Sequence, residues 1–263
     1  MPADVVPEIV PVSAFKDNYI WTLREARSDA RSAAVVDPGE ARPVLEYLAR
    51  EKLELVAILA THHHADHVGG IAELLKKYDV PVYGPRNEPI PTLTNPVSEG
   101  DEVSIPELGV SFSVLDIPGH TRAHIAYYGA GALFCGDTLF ACGCGRLFEG
   151  TAEQMYASLQ KLLSLPDDTR IYCGHEYTLA NIGFAKAVEP GNAALRSRES
   201  RDRRLRDAGK PTLPSTLGEE KATNPFLRCG EPAVIDSVNK YLGGRVADPV
   251  SVFAAIRDWK NRS

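Results

Sequence analysis

The 263-residue sequence has no apolar run that approaches the roughly 18 residues a membrane-spanning helix needs. Its first residues, MPADVVPEIV, show neither the basic segment nor the apolar segment of a secretion signal. Together these absences lead us to expect a soluble protein that is not exported and has no membrane partner. Cysteine is sparse: Cys135, Cys142, Cys144, Cys173 and Cys229 are an odd number for so long a chain. Free thiols in a reducing compartment, hence a cytoplasmic location, fit them better than a disulfide framework. There is no internal repeat, no low-complexity tract and no recognisable Ser-His-Asp arrangement.

What is present divides the chain. The formal net charge is -6. Residues 1–178 carry 14 Lys+Arg and 25 Asp+Glu, a balance of -11, whereas residues 179–263 carry 15 and 10, a balance of +5. Short apolar, β-prone runs mark the first part: YIWTL (19–23), AAVVD (33–37), LVAILA (55–60), VSFSVLDIP (110–118), HIAYY (124–128), ALFCGD (132–137) and RIYCG (170–174). Helical patterns fall between some of them, at about 40–51, 68–78 and 151–165. GTAEQM supplies a capping box for the last, with Thr151 capping and Gln154 three residues on. Past residue 178 strand signals stop, and helices are expected near 178–188, 193–208, 233–242 and 249–260. The last opens with Asp248-Pro249, an N-cap followed by a first-turn proline. The expected class is α+β: a layered sheet structure covered by helices over 1–178, then a small all-α domain over 179–263.

Histidine is concentrated. Of seven in the chain, four lie in THHHADHVGG, residues 61–70. On an extended loop, side chains two apart point the same way, so His62 and His64 can converge on one metal ion. Asp66 and His67 follow closely enough to serve a second. Three further stretches end β-prone runs with a candidate ligand: His120 in PGHT, Asp137 in CGDT and His175 in CGHE. A sheet gathers distant residues in this way, at the turns along one edge. Singly, His120 or His175 reads as a structural histidine; jointly they complete a seven-ligand set.

THHHADH, PGHT, CGDT and GHEYT together resemble the metallo-β-lactamase superfamily. CGCGRLFEGTAEQMY (142–156), YCGHEYTLAN (172–181), NPFLR (224–228) and the terminal Arg257-x-x-Lys260 narrow the resemblance to its glyoxalase II branch, the hydroxyacylglutathione hydrolases, over essentially the whole chain. That resemblance implies a four-layer αββα sandwich over 1–178, followed by a helical glutathione-binding domain over 179–263. It implies one metal ion on His62, His64 and His120, and a second on Asp66, His67 and His175, with Asp137 bridging. Imidazole and carboxylate suit two divalent zinc ions, and equally iron or manganese. Asp37, in VVDPG, matches a superfamily aspartate: either it orients a ligand histidine or it simply ends a strand.

The implied reaction is hydrolysis of an S-2-hydroxyacylglutathione such as S-D-lactoylglutathione to the hydroxy acid and glutathione, the second step of methylglyoxal detoxification. Two ions about 3.5–4 Å apart can share a water, make hydroxide available at neutral pH and stabilise the oxyanion. In that scheme Asp66 and Asp137 act as catalytic ligands. The thiolate leaving group, with a pKa near 8.5, departs without a dedicated general acid. For the substrate the resemblance implies Arg257 and Lys260 on the glycine carboxylate, with Arg146 and Tyr177 nearby. Some members have Lys and Tyr where this chain has Arg146 and Phe148, so no side-chain hydrogen bond can come from position 148. A monomer is expected.

Other features carry plainer expectations. His63 should face away from the ions, and His124 should open a strand. Cys142-Gly-Cys144 should form a tight loop beside the site. RSRESRDRRLR (196–206), with Glu199 and Asp202 interleaved, should be a solvated helix face and not a nucleic-acid surface. A β-lactamase is expected to have cysteine in place of Asp137 and to lack the basic tail. A persulfide dioxygenase would hold a single iron, and a metal-stabilised binding module would show no turnover.

Overall fold

The computed structural model describes residues 7–25 and 31–263. The chain forms two compact units: residues to Asp116 with Thr121–Gly136, and Ile117–His120 with Asp137–Ser263.

The first unit contains a six-stranded sheet, in chain order, of β1 (Glu8–Ala14), β2 (Asn18–Arg24), β3 (Ser32–Val36), β4 (Glu54–Leu59), β5 (Val82–Pro85) and β6 (Asn95–Val97). β1 to β3 are antiparallel, and β3 to β6 are parallel. Helix α1 (Ala41–Glu51) makes the first crossover that parallel pairing requires. Its Val44, Tyr47 and Leu48 are buried in a core shared with Val12, Ile20, Val35, Leu55, Ile58 and Val82. Strands β7 (Glu102–Ile105), β8 (Val110–Asp116), β9 (Ile125–Gly129) and β10 (Ala132–Gly136) pair antiparallel in order. β8 alternates, with Val110, Phe112 and Val114 buried and Ser111 and Ser113 exposed, the period-two pattern of a strand wet on one face. The helix expected at 68–78 is two four-residue turns, α2 (Ala65–Val68) and α3 (Ile71–Leu74), broken at Gly69-Gly70. A Cβ on Gly70 would lie 2.5 Å from the Ala41 nitrogen, so the bare backbone there lets α1 approach closely.

The second unit contains the hairpin β11 (Leu139–Phe140) and β12 (Gly143–Cys144), helix α4 (Ala152–Leu163) and strand β13 (Arg170–Cys173). Helices α5 (Thr178–Val188) and α6 (Ala193–Asp207) come next. After them come β14 (Ser215–Thr216), α7 (Leu217–Thr223), α8 (Pro232–Leu242) and α9 (Pro249–Arg262). The capping box of α4 is present: Gln154 N donates to Thr151 Oγ1 at 3.3 Å, and Thr151 N to Gln154 Oε1 at 2.9 Å. Asp248 caps α9 through Ser251 N at 2.9 Å.

Two further expectations need correction. Strand structure does not stop at 178, because β14 pairs antiparallel with β13. Two residues are too few for a sequence period to register. The arginine-rich α6 is not solvated all round either. Arg198 and Asp202 are buried, with Arg198 Nη2 2.7 Å from Glu220 Oε1 and its Nε 3.3 Å from Asp202 Oδ2. The Glu220 carboxylate also accepts from Cys142 N at 2.8 Å, so this buried charge group anchors the β11–β12 turn.

Candidate metal centre

The expected site residues follow strand ends: the ligands begin at His62 after β4, His120 after β8, Asp137 after β10 and His175 after β13, and Asp37, the expected orienter, follows β3. In the first unit, the end of β3 turns through a left-handed residue, Asp37, at φ 54°. Its carboxylate accepts from Thr61 N at 2.7 Å, from Thr61 Oγ1 at 2.7 Å and from His67 Nδ1 at 3.0 Å. Asp37 therefore does more than end a strand. It holds the His67 ring in one tautomer, with Nε2 turned away as a donor atom. Asp37, His62 and His67 are all buried and lie within ligand distance of one another.

Two donors each about 2.0–2.2 Å from a tetrahedral zinc ion are about 3.4 Å apart. In the first unit His62 Nε2 lies 3.1 Å from His64 Nδ1, and Asp66 Oδ2 lies 3.6 Å from His67 Nε2. In the second unit Asp137 Oδ2 lies 3.6 Å from His120 Nε2 and 3.3 Å from His175 Nε2. These separations match the edges of metal coordination polyhedra, and one Asp137 oxygen is shared between two histidines. The donors are imidazoles and carboxylates, and His120 donates from Nδ1 to Arg146 O at 2.9 Å, leaving Nε2 for an ion. In donor chemistry and spacing, then, each unit's residues fit divalent metal ions.

The remaining site residues line one cavity of about 420 Å³ in the second unit, with His120, Asp137, Arg146, Phe148, Tyr177, Arg257 and Lys260 in its wall. The Tyr177 ring stacks on His175 at 4.7 Å. Arg257 is buried on α9, and its Nη1 donates to Cys144 O at 2.8 Å while Nε has no partner. Lys260, one turn on, is half-buried with Nζ 4.9 Å over the Phe184 ring. Burial pushes its pKa below that of an ordinary lysine, and Arg257 adds to the effect. Phe148 is 62% exposed and its ring lies 5.3 Å from that of His120.

Gly145 explains the last glycine of CGCG. A Cβ there would overlap the Asp137 carbonyl oxygen and lie 3.0 Å from His120 Nδ1. The two cysteines of the motif are buried, and burial raises Cys142 to about 12 and Cys144 to about 11, so both are neutral thiols at pH 7.

His124 is fully buried, precedes β9, and stacks on His62 at 4.5 Å. His63 turns to Glu88, where its Nδ1 meets the carboxylate. Sequence reasoning missed two contributors. Asn18 donates to Asp66 Oδ2 at 3.0 Å, and Glu88 reaches His63 from 25 residues away. A lone Asn in DNY and a lone Glu in RNEP carry no local signal for either role.

Comparison with known proteins agrees with this chemistry. Residues 27–175 match the metallo-beta-lactamase superfamily, and residues 176–263 match the hydroxyacylglutathione hydrolase C-terminus. The chain is 57% identical to the hydroxyacylglutathione hydrolase of Nitrosomonas europaea over 253 residues, covering 96% of this chain and 95% of that protein. Among solved structures, ETHE1 from Myxococcus xanthus superposes with a TM-score of 0.64 at 26% identity, covering 97% of this chain and 98% of that one. TTHA1623 in a di-iron-bound form superposes with a TM-score of 0.57 at 28% identity, over 83% of this chain and 100% of that one.

Proposed function

The chain belongs to the hydroxyacylglutathione hydrolase family of the metallo-beta-lactamase superfamily, and from that membership we infer how its residues divide the labour. It is a metal-dependent hydrolase with the α+β fold of that superfamily and a helical C-terminal region, and it cleaves the thioester of S-lactoylglutathione. The family fold and the histidine–aspartate groups support a dinuclear metal site.

We propose that His62, His64 and His120 hold one ion and that Asp66, His67 and His175 hold the other, with Asp137 between them. The observation that carries this assignment is the Asp137 carboxylate, whose Oδ2 is at ligand-edge distance from both His120 and His175. Two zinc ions are the proposed occupants. When bound, such ions acidify water and polarise a carbonyl. The protein's share is orientation. Asp37 fixes His67, Asn18 steadies Asp66, and the Arg146 carbonyl sets His120. No side chain need protonate the leaving sulfur, because a thiol of pKa near 8.5 leaves as thiolate.

Substrate binding is assigned to the cavity wall. Arg257 Nε and the Lys260 ammonium are proposed to take the glycine carboxylate, with Arg146 and Tyr177 beside the peptide. Three cations in one partly desolvated wall suit a tripeptide bearing two carboxylates and one ammonium better than a neutral acyl group. Phe148 offers only an apolar edge. The proposed domain division is catalytic over 1–178 and glutathione-binding over 179–263, which the adjoining family matches at 175 and 176 support. All five cysteines are buried. No helix among the described residues is long and apolar enough to cross a membrane. We further propose a cytoplasmic monomer with no nucleic-acid partner.

Parallel rate measurements on S-lactoylglutathione and on a lactoyl thioester lacking the glutathione peptide test the reading. A preference of at least about 100-fold in kcat/KM for the glutathione compound is expected from two carboxylate contacts. Equal rates would contradict it.

A further inference from the structure

Glu88 has an almost fully buried carboxylate, 2% exposed, and no part in the division of labour above. It sits just past β5. Its Oε2 accepts from His63 N at 3.2 Å and meets His63 Nδ1. Its Oε1 accepts from Thr121 Oγ1 at 2.6 Å and from Ala123 N at 3.0 Å. One side chain thus joins the turn after β4 to the turn before β9. Those turns are joined directly as well, by Ile125 N donating to Thr61 O at 3.0 Å.

The chemistry requires a carboxylate here. Four donors converge on two oxygens, and only an ionised acid offers enough lone pairs with no N–H of its own. Bonds to the ionised form are also shorter and stronger than neutral ones. His63 lies between His62 and His64, so holding its backbone and ring fixes the direction in which its two neighbours point. Thr121 directly follows His120. Resting on the metal assignment above, we propose that Glu88 is a positioning residue that, through His63, sets the geometry of His62 and His64 and hence how tightly the protein holds its metal.

The test uses the full chain with Glu88→Gln, Glu88→Ala and His63→Ala. Zinc affinity is read by competition with a chromophoric chelator, and amide hydrogen exchange at His63 and Ala123 is read in the metal-free protein. Partners behind a metal ligand typically change affinity by about 10–100-fold. A zinc affinity weakened by that factor is expected in both Glu88 variants, with faster His63 exchange before any metal is added. His63→Ala should weaken zinc in the same direction and add little on top of Glu88→Ala. Folded Glu88 variants with wild-type zinc affinity, even at a lowered Tm, would overturn the proposal. Should the Glu88 variants not fold, unchanged zinc affinity in His63→Ala would overturn it instead. A wild-type protein that binds fewer than two zinc ions would defeat the metal assignment itself, whatever the variants do.

Discussion

Replacing Lys260 by alanine should raise KM for the glutathione thioester and leave kcat nearly unchanged. Lys260 is one of three cations in the cavity wall, and its ammonium is half-buried over Phe184. A hydrogen bond with a charged partner contributes about 1.5–3 kcal/mol, and partial exposure favours the lower part of that range. About 1.5–2 kcal/mol corresponds to about a 10–30-fold rise in KM. Lys260 is assigned to the peptide and not to the reacting carbon, so kcat should stay within about twofold. The pH dependence sharpens the test. Burial depresses the Lys260 pKa, so its charge is lost below the ordinary lysine value of about 10.4. Wild-type KM should therefore climb on the alkaline side while Lys260→Arg, charged throughout, stays flat. The linked stability runs the other way. The folded state binds this proton less tightly than the unfolded chain, so stability increases as pH rises from the folded to the unfolded pKa. An alkaline loss of substrate affinity cannot then be ascribed to this group loosening the fold. Initial rates over a range of substrate concentration and pH decide the matter. A fall in kcat at constant KM in Lys260→Ala, or the same alkaline climb in Lys260→Arg, would refute the reasoning.

Asp137→Asn should lower kcat by at least about 100-fold, beyond the range for groups behind a ligand, and reduce metal content while thioester KM moves only a few-fold; wild-type metal content and rate would remove its bridging role. Gly145→Ala places a methyl group against the Asp137 carbonyl, so activity should collapse for a stability loss of about 1–3 kcal/mol in urea titration. An active Gly145→Ala would show that the loop has room to give. Arg198→Met removes the buried counter-charge of Glu220 and leaves Asp202 only the half-exposed Arg201, 2.7 Å from its Oδ1. A loss of about 3–5 kcal/mol is expected from denaturant unfolding, and a change below about 1 kcal/mol would contradict the buried role.

The order and kind of most elements were legible because their residues repeat. Alternation in VSFSVLD and apolar runs such as LVAIL declare strands, and Thr151 and Asp248 announce helix starts with side chains that act locally. What stayed hidden lacks a period or a neighbour. β14 has two residues, the α2–α3 break depends on how closely α1 approaches Gly70, and Arg198 is buried only because Glu220, 22 residues on, meets it. The candidate ligands were legible for a different reason. Histidine and aspartate are chemically conspicuous: His120, Asp137 and His175 each follow a glycine at or just past a strand end, and the other four candidates crowd into residues 62–67 after β4. Their supports were not, since Asn18 and Glu88 act across 48 and 25 residues of chain and are ordinary residues until the fold brings them round. Arg257 falls between these cases. Its place three residues before Lys260 was readable, but its hydrogen bond to the Cys144 carbonyl was not.

Adding zinc in steps to the metal-free protein, with bound metal and S-lactoylglutathione hydrolysis followed together, tests the two-ion site most directly. Binding should saturate at two ions per chain, with full activity only as the second is filled, and chelation should abolish hydrolysis while the fold persists. Full activity at one ion per chain, or hydrolysis that survives complete removal of metal, would contradict it.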